Sequence, residues 1–218
     1  MGQIYALSGC SGVGKSTFLN LLFSDPPKKL RLLNRTTSRD KRLNEREGIE
    51  YDFLPEKGFL QKIFANDFVH IEEYEGAYFG IEAPIIEDTI NSNEDGIIMA
   101  GVFGASELKA VYGDKVSFMF MTTSSRKDLR DPRCLNDTFE PNIELLRRLN
   151  EKIEQQLFNQ NEFPQNSKRK FIKRRMALNY LELAFINGRL RSNEQILVLE
   201  NYRNKMDDTL SQFHKARK

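Results

Sequence analysis

The chain has 218 residues, 39% of them apolar and 29% charged, with a net charge of +2. That length suits one domain with insertions, or a core with two mobile subdomains, and is enough to bury a proper core. No apolar run approaches the roughly 20 residues of a membrane span, the small net charge gives no support to a nucleic-acid role, and two cysteines and two histidines in no metal-ligand spacing leave little for zinc or a Ser-His triad.

Residues 1–5 lack the basic and long apolar regions of a signal peptide, and Ala6 breaks the myristoylation pattern. With Cys10 and Cys134 far apart, a reduced, cytoplasmic setting is expected. Residues 3–7 are a short apolar run closing at Ser8-Gly9, predicted to be a buried first strand. A helix follows over 15–24, where Phe18, Leu19, Leu22 and Phe23 recur at helical spacing until Asp25-Pro26-Pro27 stops it. Residues 30–33 form a second strand, 35–48 are polar and irregular, and 51–54 are a short strand. Apolar runs at 97–100 and 116–121, separated by a helix near 106–112, are two more strands, and 196–199 is the last. Strands alternating with helices predict an α/β fold with a parallel core sheet and right-handed crossovers. Two stretches break the alternation. One, 35–92, holds short strands, short helices and many polar groups. The other, 126–195, is mainly helical, with Ile143, Leu145, Leu146, Leu149, Ile153 and Leu157 at helical spacing and a second helical run over 172–190. Between those runs, 159–170 is rich in Asn, Gln and Pro and reads as a loop.

Gly9-Cys10-Ser11-Gly12-Val13-Gly14-Lys15-Ser16 fits G-x-x-x-x-G-K-S in full, after an apolar strand and before an amphipathic helix. Glycines let the backbone curl so that N–H groups point inward, and these donors, with the helix N-terminus, hold phosphate oxygens. Ser11, Gly12, Val13, Gly14, Lys15, Ser16 and Thr17 are therefore the expected ATP-binding residues. Lys15 reaches the β- and γ-phosphates as a catalytic charge, and the Ser16 hydroxyl binds Mg²⁺. Cys10, at a free position of the loop, is a small filler rather than a redox sensor.

A second constellation runs from Arg39 to Phe53. Two arginines three apart, Arg39 and Arg42, beside the Tyr51 hydroxyl make a phosphate clamp, since Arg forks onto phosphate with two parallel bonds; taken alone, such a charge run is more simply a solvated loop. Arg39, Arg42, Glu45, Gly48, Tyr51 and Phe53 stand in the register T-T-R-x-x-R-x-x-E-x-x-G-x-D-Y-x-F, with Glu50 in place of Asp, and Gly76-Ala77-Tyr78-Phe79-Gly80 is similar to G-N-Y-Y-G. In these motifs and their order after the P-loop, residues 3–122 resemble the guanylate kinase family. The resemblance implies a P-loop NTPase fold with a parallel core sheet, a small mixed acceptor-binding subdomain at 35–92 and a helical lid at 126–195, the core being 1–34, 93–125 and 196–218. It implies Arg39, Arg42, Glu45, Tyr51, Glu72 and Tyr78 as acceptor-binding residues. The chain departs from the family at the base-reading positions. His70 stands where a Glu takes the guanine N1 and N2 protons, with Glu72, Glu73 and Glu75 nearby, Ile81 replaces Ser or Thr, and Met99-Ala100-Gly101 replaces D-x-D. Phe79 takes the place of the second clamp tyrosine.

The family's lid arginines are matched by Arg148, within Leu145-Leu146-Arg147-Arg148-Leu149, and by Arg174 and Arg175. Their expected role is catalytic, because fixed cations stabilise the charge spread over the transferring phosphoryl group. Each could instead be a solvent-facing helix charge. The expected function is ATP-dependent phosphoryl transfer, with Mg²⁺, to a nucleoside monophosphate, GMP to GDP. The alternatives are another monophosphate or a sugar phosphate as acceptor, a weakly catalytic binding module, and a nucleotide-switched regulator. The expected partners are small-molecule nucleotides, with neither membrane nor nucleic acid.

Overall fold

The computed structural model describes residues 1–43, 45–49, 51–74, 76–135, 140–158, 165–192, 194–201 and 205–217, the side chains of 132, 150 and 152–171 excepted. In chain order the elements are β1 (Ile4–Gly9), α1 (Lys15–Leu22), β2 (Leu30–Leu33), β3 (Thr36–Thr37), β4 (Asp52–Phe53), α2 (Glu56–Phe64), β5 (Phe68–Tyr74), β6 (Ala77–Glu82), α3 (Ala83–Asn91), β7 (Asp95–Met99), α4 (Val102–Tyr112), β8 (Val116–Thr122), α5 (Arg126–Arg130), α6 (Glu140–Phe158), α7 (Gln165–Arg191), β9 (Leu197–Glu200) and α8 (Met206–Ala216). The fold is α/β, with parallel core strands and a mixed second sheet.

The chain divides into two compact units. One comprises Met1–Leu7 and Pro26–Phe118, the other Ser8–Asp25 and Met119–Lys218. In the first, β7 lies between β1 and β2 and is parallel to both, with Ile4 opposite Gly96 and Leu30 opposite Asp95. Every residue of β1 is buried, which is why it reads as an unbroken apolar run rather than an alternating one. The same unit holds the sheet β4-β3-β6-β5. There β3 runs parallel to β4 and antiparallel to β6, which pairs with β5 as a hairpin. Gly76, in the hairpin turn, has φ 78°, a left-handed conformation that glycine adopts without cost.

In the second unit β8 and β9 are parallel, Met119 facing Leu197. The α1 and α8 helices meet through Phe18 and Phe213, edge to face at 5.7 Å. A capping box, Ser125 with Asp128, starts α5. The Asn187 side chain donates to Leu129 O at 2.7 Å, fastening α7 to α5.

Two expectations shift. The α4 helix begins at Val102 rather than near 106. Gly101-Val102-Phe103-Gly104 looks like a breaker, yet a side chain at Gly104 would meet His70 Cδ2 at 2.8 Å, so the glycine gives room to a neighbour. The loop expected over 159–170 is helical from Gln165 onward, as the start of α7, while 159–164 lie outside the described residues.

Candidate active site

The P-loop joins β1 to α1 inside the second unit. Its sharp departure from β1 occurs at Gly9, φ 143°, where a Cβ would lie 2.1 Å from Met121 O; no other residue fits. Gly14 caps α1 at φ 103°, with no side-chain cap and no acidic residue in the first turn. The first-turn N–H groups of α1 thus meet no anionic side chain from their own helix, which suits an incoming phosphate. Lys15 Nζ donates to Gly9 O and, at 3.0 Å, to Cys10 O. Ser16 and Thr17 are exposed. Cys10 is 1% exposed, and burial pushes its thiol well above the usual range, as a filler requires and a redox sensor does not.

Two asparagines that the sequence reading missed brace this loop. Asn179 of α7 accepts from Ser11 N at 2.7 Å and donates back to Ser11 O at 3.3 Å. Asn201, just after β9, donates to Val13 O at 2.7 Å. Leu149 of α6 comes so near Gly12 that a Cβ there would meet it at 3.0 Å. Spacing gives no signal for such contacts, because Asn179 is 168 residues from Ser11.

The candidate lid arginines separate in this unit. Arg148 is 7% exposed, its Nε donates to Glu144 Oε1 at 2.8 Å, and its two terminal nitrogens are buried without a hydrogen-bond partner. Arg147, first, and Arg148 hold the Glu144 carboxyl down at about 2 against the effect of burial. Arg174 is exposed and Arg175 half-buried on α7.

The acceptor candidates lie in the first unit. Arg39 Nη2 donates to both oxygens of Glu45, at 2.8 and 3.0 Å, and the Arg42 amide donates to Glu45 Oε2 at 2.9 Å, so Glu45 shapes the loop carrying both arginines. Burial raises the Glu45 pKa, but these bonds outweigh it and hold the carboxyl below its usual range. The Arg42 side chain is exposed. The Arg39 guanidinium lies 5.7 Å from the centre of the Tyr51 ring. Glu72 is partly exposed on β5. Tyr78 is not brought to this cluster. Its ring stacks on Phe59 at 5.7 Å, whereas Phe79 meets Tyr51, as the alternation of β6 demands.

Arg35, absent from the sequence reading, completes the cluster. Its side chain is 12% exposed, and it donates to Glu72 Oε1 at 2.6 Å and to the Tyr51 hydroxyl at 3.4 Å. His70 pairs through Nδ1 with Glu107 at 2.7 Å. The His70 imidazole, 3.8 Å from Glu72 Oε2 and so an ion-pair rather than a hydrogen-bond partner, and then Arg35 hold the Glu72 carboxyl down at about 2. Burial lowers the His70 pKa, but Glu72 and Glu107 outweigh it and the net shift is upward. A raised folded pKa contributes stability that is complete below about pH 6.5 and is lost as pH rises through the folded value. The expected result is a melting-temperature gap between wild type and His70→Gln that narrows from about pH 6 to pH 8.5. A gap constant across that range would show that the imidazole charge contributes nothing.

A P-loop between a buried strand and a helix on parallel core strands defines a P-loop nucleotide-binding protein. Residues 1–165 match the guanylate kinase family model. The chain belongs to the guanylate kinase family. The guanylate kinase of Porphyromonas gingivalis (strain ATCC BAA-308 / W83) is 34% identical over 131 residues, which are 60% of this chain and 70% of that protein. The crystal structure of guanylate kinase from Anaplasma phagocytophilum shares the fold, with a TM-score of 0.62 and 16% identity over 99% of this chain and 84% of that one. Among the described residues, no helix is long and apolar enough to cross a membrane.

Proposed function

We propose that this chain transfers the γ-phosphoryl group of ATP to GMP, giving ADP and GDP. The observation that carries this reading is the P-loop with Lys15 opening α1 in a chain of the guanylate kinase family. A phosphate oxygen of GMP attacks the γ-phosphorus in line, the bond to the β–γ bridging oxygen breaks, and ADP leaves with that electron pair. No general base is required, because the acceptor phosphate is largely ionised near neutral pH.

The donor is held by 11–17, with Lys15 balancing charge on the β- and γ-phosphates. Ser16, an exposed hydroxyl in the first turn of α1, would hold Mg²⁺, which when bound neutralises phosphate charge. A hard oxygen donor suits that ion, which keeps most of its shell as water and substrate oxygens. Among the described residues no cluster of three His, Cys, Asp or Glu competes for it. Arg39, Arg42 and Tyr51 grip the acceptor phosphate, and Arg148, Arg174 and Arg175 act on the transferring group. The division into a core at 1–34, 93–125 and 196–218, an acceptor part at 35–92 and a lid at 126–195 belongs to the same reading. So does a cytoplasmic setting, which suits two free, buried cysteines.

The test is ADP release from ATP and Mg²⁺ with GMP, AMP, CMP or UMP. GMP-dependent release is the expected result, and release with none of the four would overturn the assignment.

A further inference from the structure

Asparagine is a poor choice for the interior of a helix, because its side chain competes for local backbone groups. Asn179 nevertheless stands in the middle of α7, 1% exposed, and its carboxamide leaves its own helix to meet the donor loop. The Oδ1 atom accepts from Ser11 N at 2.7 Å, and Nδ2 donates to Ser11 O at 3.3 Å. A carboxamide carries an acceptor and donors in one plane and so can engage both main-chain groups of a residue at once. Met176 Sδ, 3.9 Å from Nδ2, backs it from within α7. The Asn179 carbonyl oxygen lies 4.0 Å from the Cys10 thiol, so the side chain and main chain of one helical residue cover two consecutive loop residues. The start of α1 is left open, with Ser16 and Thr17 exposed.

We infer that Asn179 is a positioning residue that fixes the donor loop and Arg175 to one another, so that the two set the charge around the transferring phosphoryl group as one piece. The inference rests on the reading that Arg175 acts on that group. Arg175 precedes Asn179 by four residues, so the two stand one helical turn apart on the same face of α7. That face is the one that meets Ser11. Arg174 lies about 100° round the helix from Arg175 and is exposed. Two bonds to the N–H and C=O of one residue fix distance and orientation together, where a single bond would leave a pivot. A guanidinium lowers the barrier only where charge develops, and a displacement of about 1 Å is enough to cost about 100-fold. Tying the helix of the arginine to the loop that holds the phosphates removes the slack between them.

The experiment is a double-mutant cycle between Asn179→Leu and Arg175→Met, reading kcat and the KM for GMP at saturating ATP and Mg²⁺, with a thermal melt of each protein. Leucine keeps the branching of asparagine and makes neither bond. Asn179→Leu should lower kcat about 30-fold and change the KM for GMP by less than about threefold. Arg175→Met should lower kcat about 100-fold in wild type but less than about fivefold in the Asn179→Leu background, because an arginine already displaced has little left to lose. A structural role alone would lower the melting temperature and leave the two losses to multiply. Multiplying losses, or an unchanged kcat in a folded Asn179→Leu protein, would overturn the inference while leaving GMP phosphorylation intact. Should Asn179→Leu not fold, the same cycle with Asn179→Ser, which removes the carboxamide and adds no volume, decides by the same criterion. Wild-type turnover in Arg175→Met would instead overturn the catalytic reading of Arg175 and this inference with it.

Discussion

Lys15→Ala is expected to lower kcat with GMP by about 1000-fold or more, a loss of about 4 kcal/mol of transition-state stabilisation. Charge builds on the β–γ bridging oxygen and on the γ-phosphoryl group as the bond breaks, and a fixed ammonium beside it needs no reorganisation at that moment. Before any nucleotide arrives, Lys15 Nζ is already held by the Gly9 and Cys10 carbonyls, so the charge is pre-positioned at the mouth of the loop. Steady-state ADP release and a thermal melt together make the measurement. Turnover at the wild-type rate in a folded Lys15→Ala protein would remove the P-loop from the chemistry.

The other large effect is expected at Arg148, where Arg148→Met should lower kcat by about 100- to 1000-fold and change the KM for GMP by less than about threefold. The reason is an imbalance inside the fold. Two guanidinium nitrogens are buried without partners, and unsatisfied buried donors cost about 1–3 kcal/mol each. On the proposed reading, phosphoryl oxygens would supply the missing partners, and the contact would favour the state in which the phosphoryl group is present. The melting temperature provides an independent check. A methionine of similar volume removes the unpaired donors, while Glu144 keeps Arg147 at 2.8 Å. Melting should therefore be unchanged or raised. A lowered melting temperature with normal turnover would make Arg148 a structural residue.

The donor loop was legible in the sequence because its function and its backbone make the same demand. Curling N–H groups around phosphate requires glycine at fixed offsets, and nothing distant alters that requirement. The strand at 30–33 and the start of β8 were also legible, being buried apolar runs with clear ends. Arg35 was not. It precedes two threonines as a single charge, and its partner lies 37 residues on. Only the register explains the pair. Thr36 and Ile71 both face Gly80 across β6. Arg35 comes one residue before Thr36 and Glu72 one after Ile71, so both fall on the same side of the sheet. Gly101 stands where the family has an acid, and the carboxylate nearest it, that of Glu72, comes from β5, which spacing along the chain does not reveal. Tyr78, an acceptor-binding residue by the resemblance alone, is turned by strand alternation towards Phe59, which leaves Phe79 beside Tyr51. The start of α7 was hidden because Asn, Gln and Pro signal loops locally.

The glycines of the donor loop serve two masters, and this bears on how a drifting descendant of this gene would look. Gly9 is pressed against the Met121 carbonyl and Gly14 against the Asn201 amide, at 2.1 and 2.9 Å from where a Cβ would sit. A copy that had abandoned nucleotides altogether would still be held to both, merely to keep its sheet and helices together. Ser16 is exposed at the surface of the second unit, and no comparable crowding restrains it. Once selection for turnover is relaxed, the hydroxyl should be lost well before the glycines. The glycine spacing would then record ancestry, and the residue after the lysine would tell whether the chemistry survives.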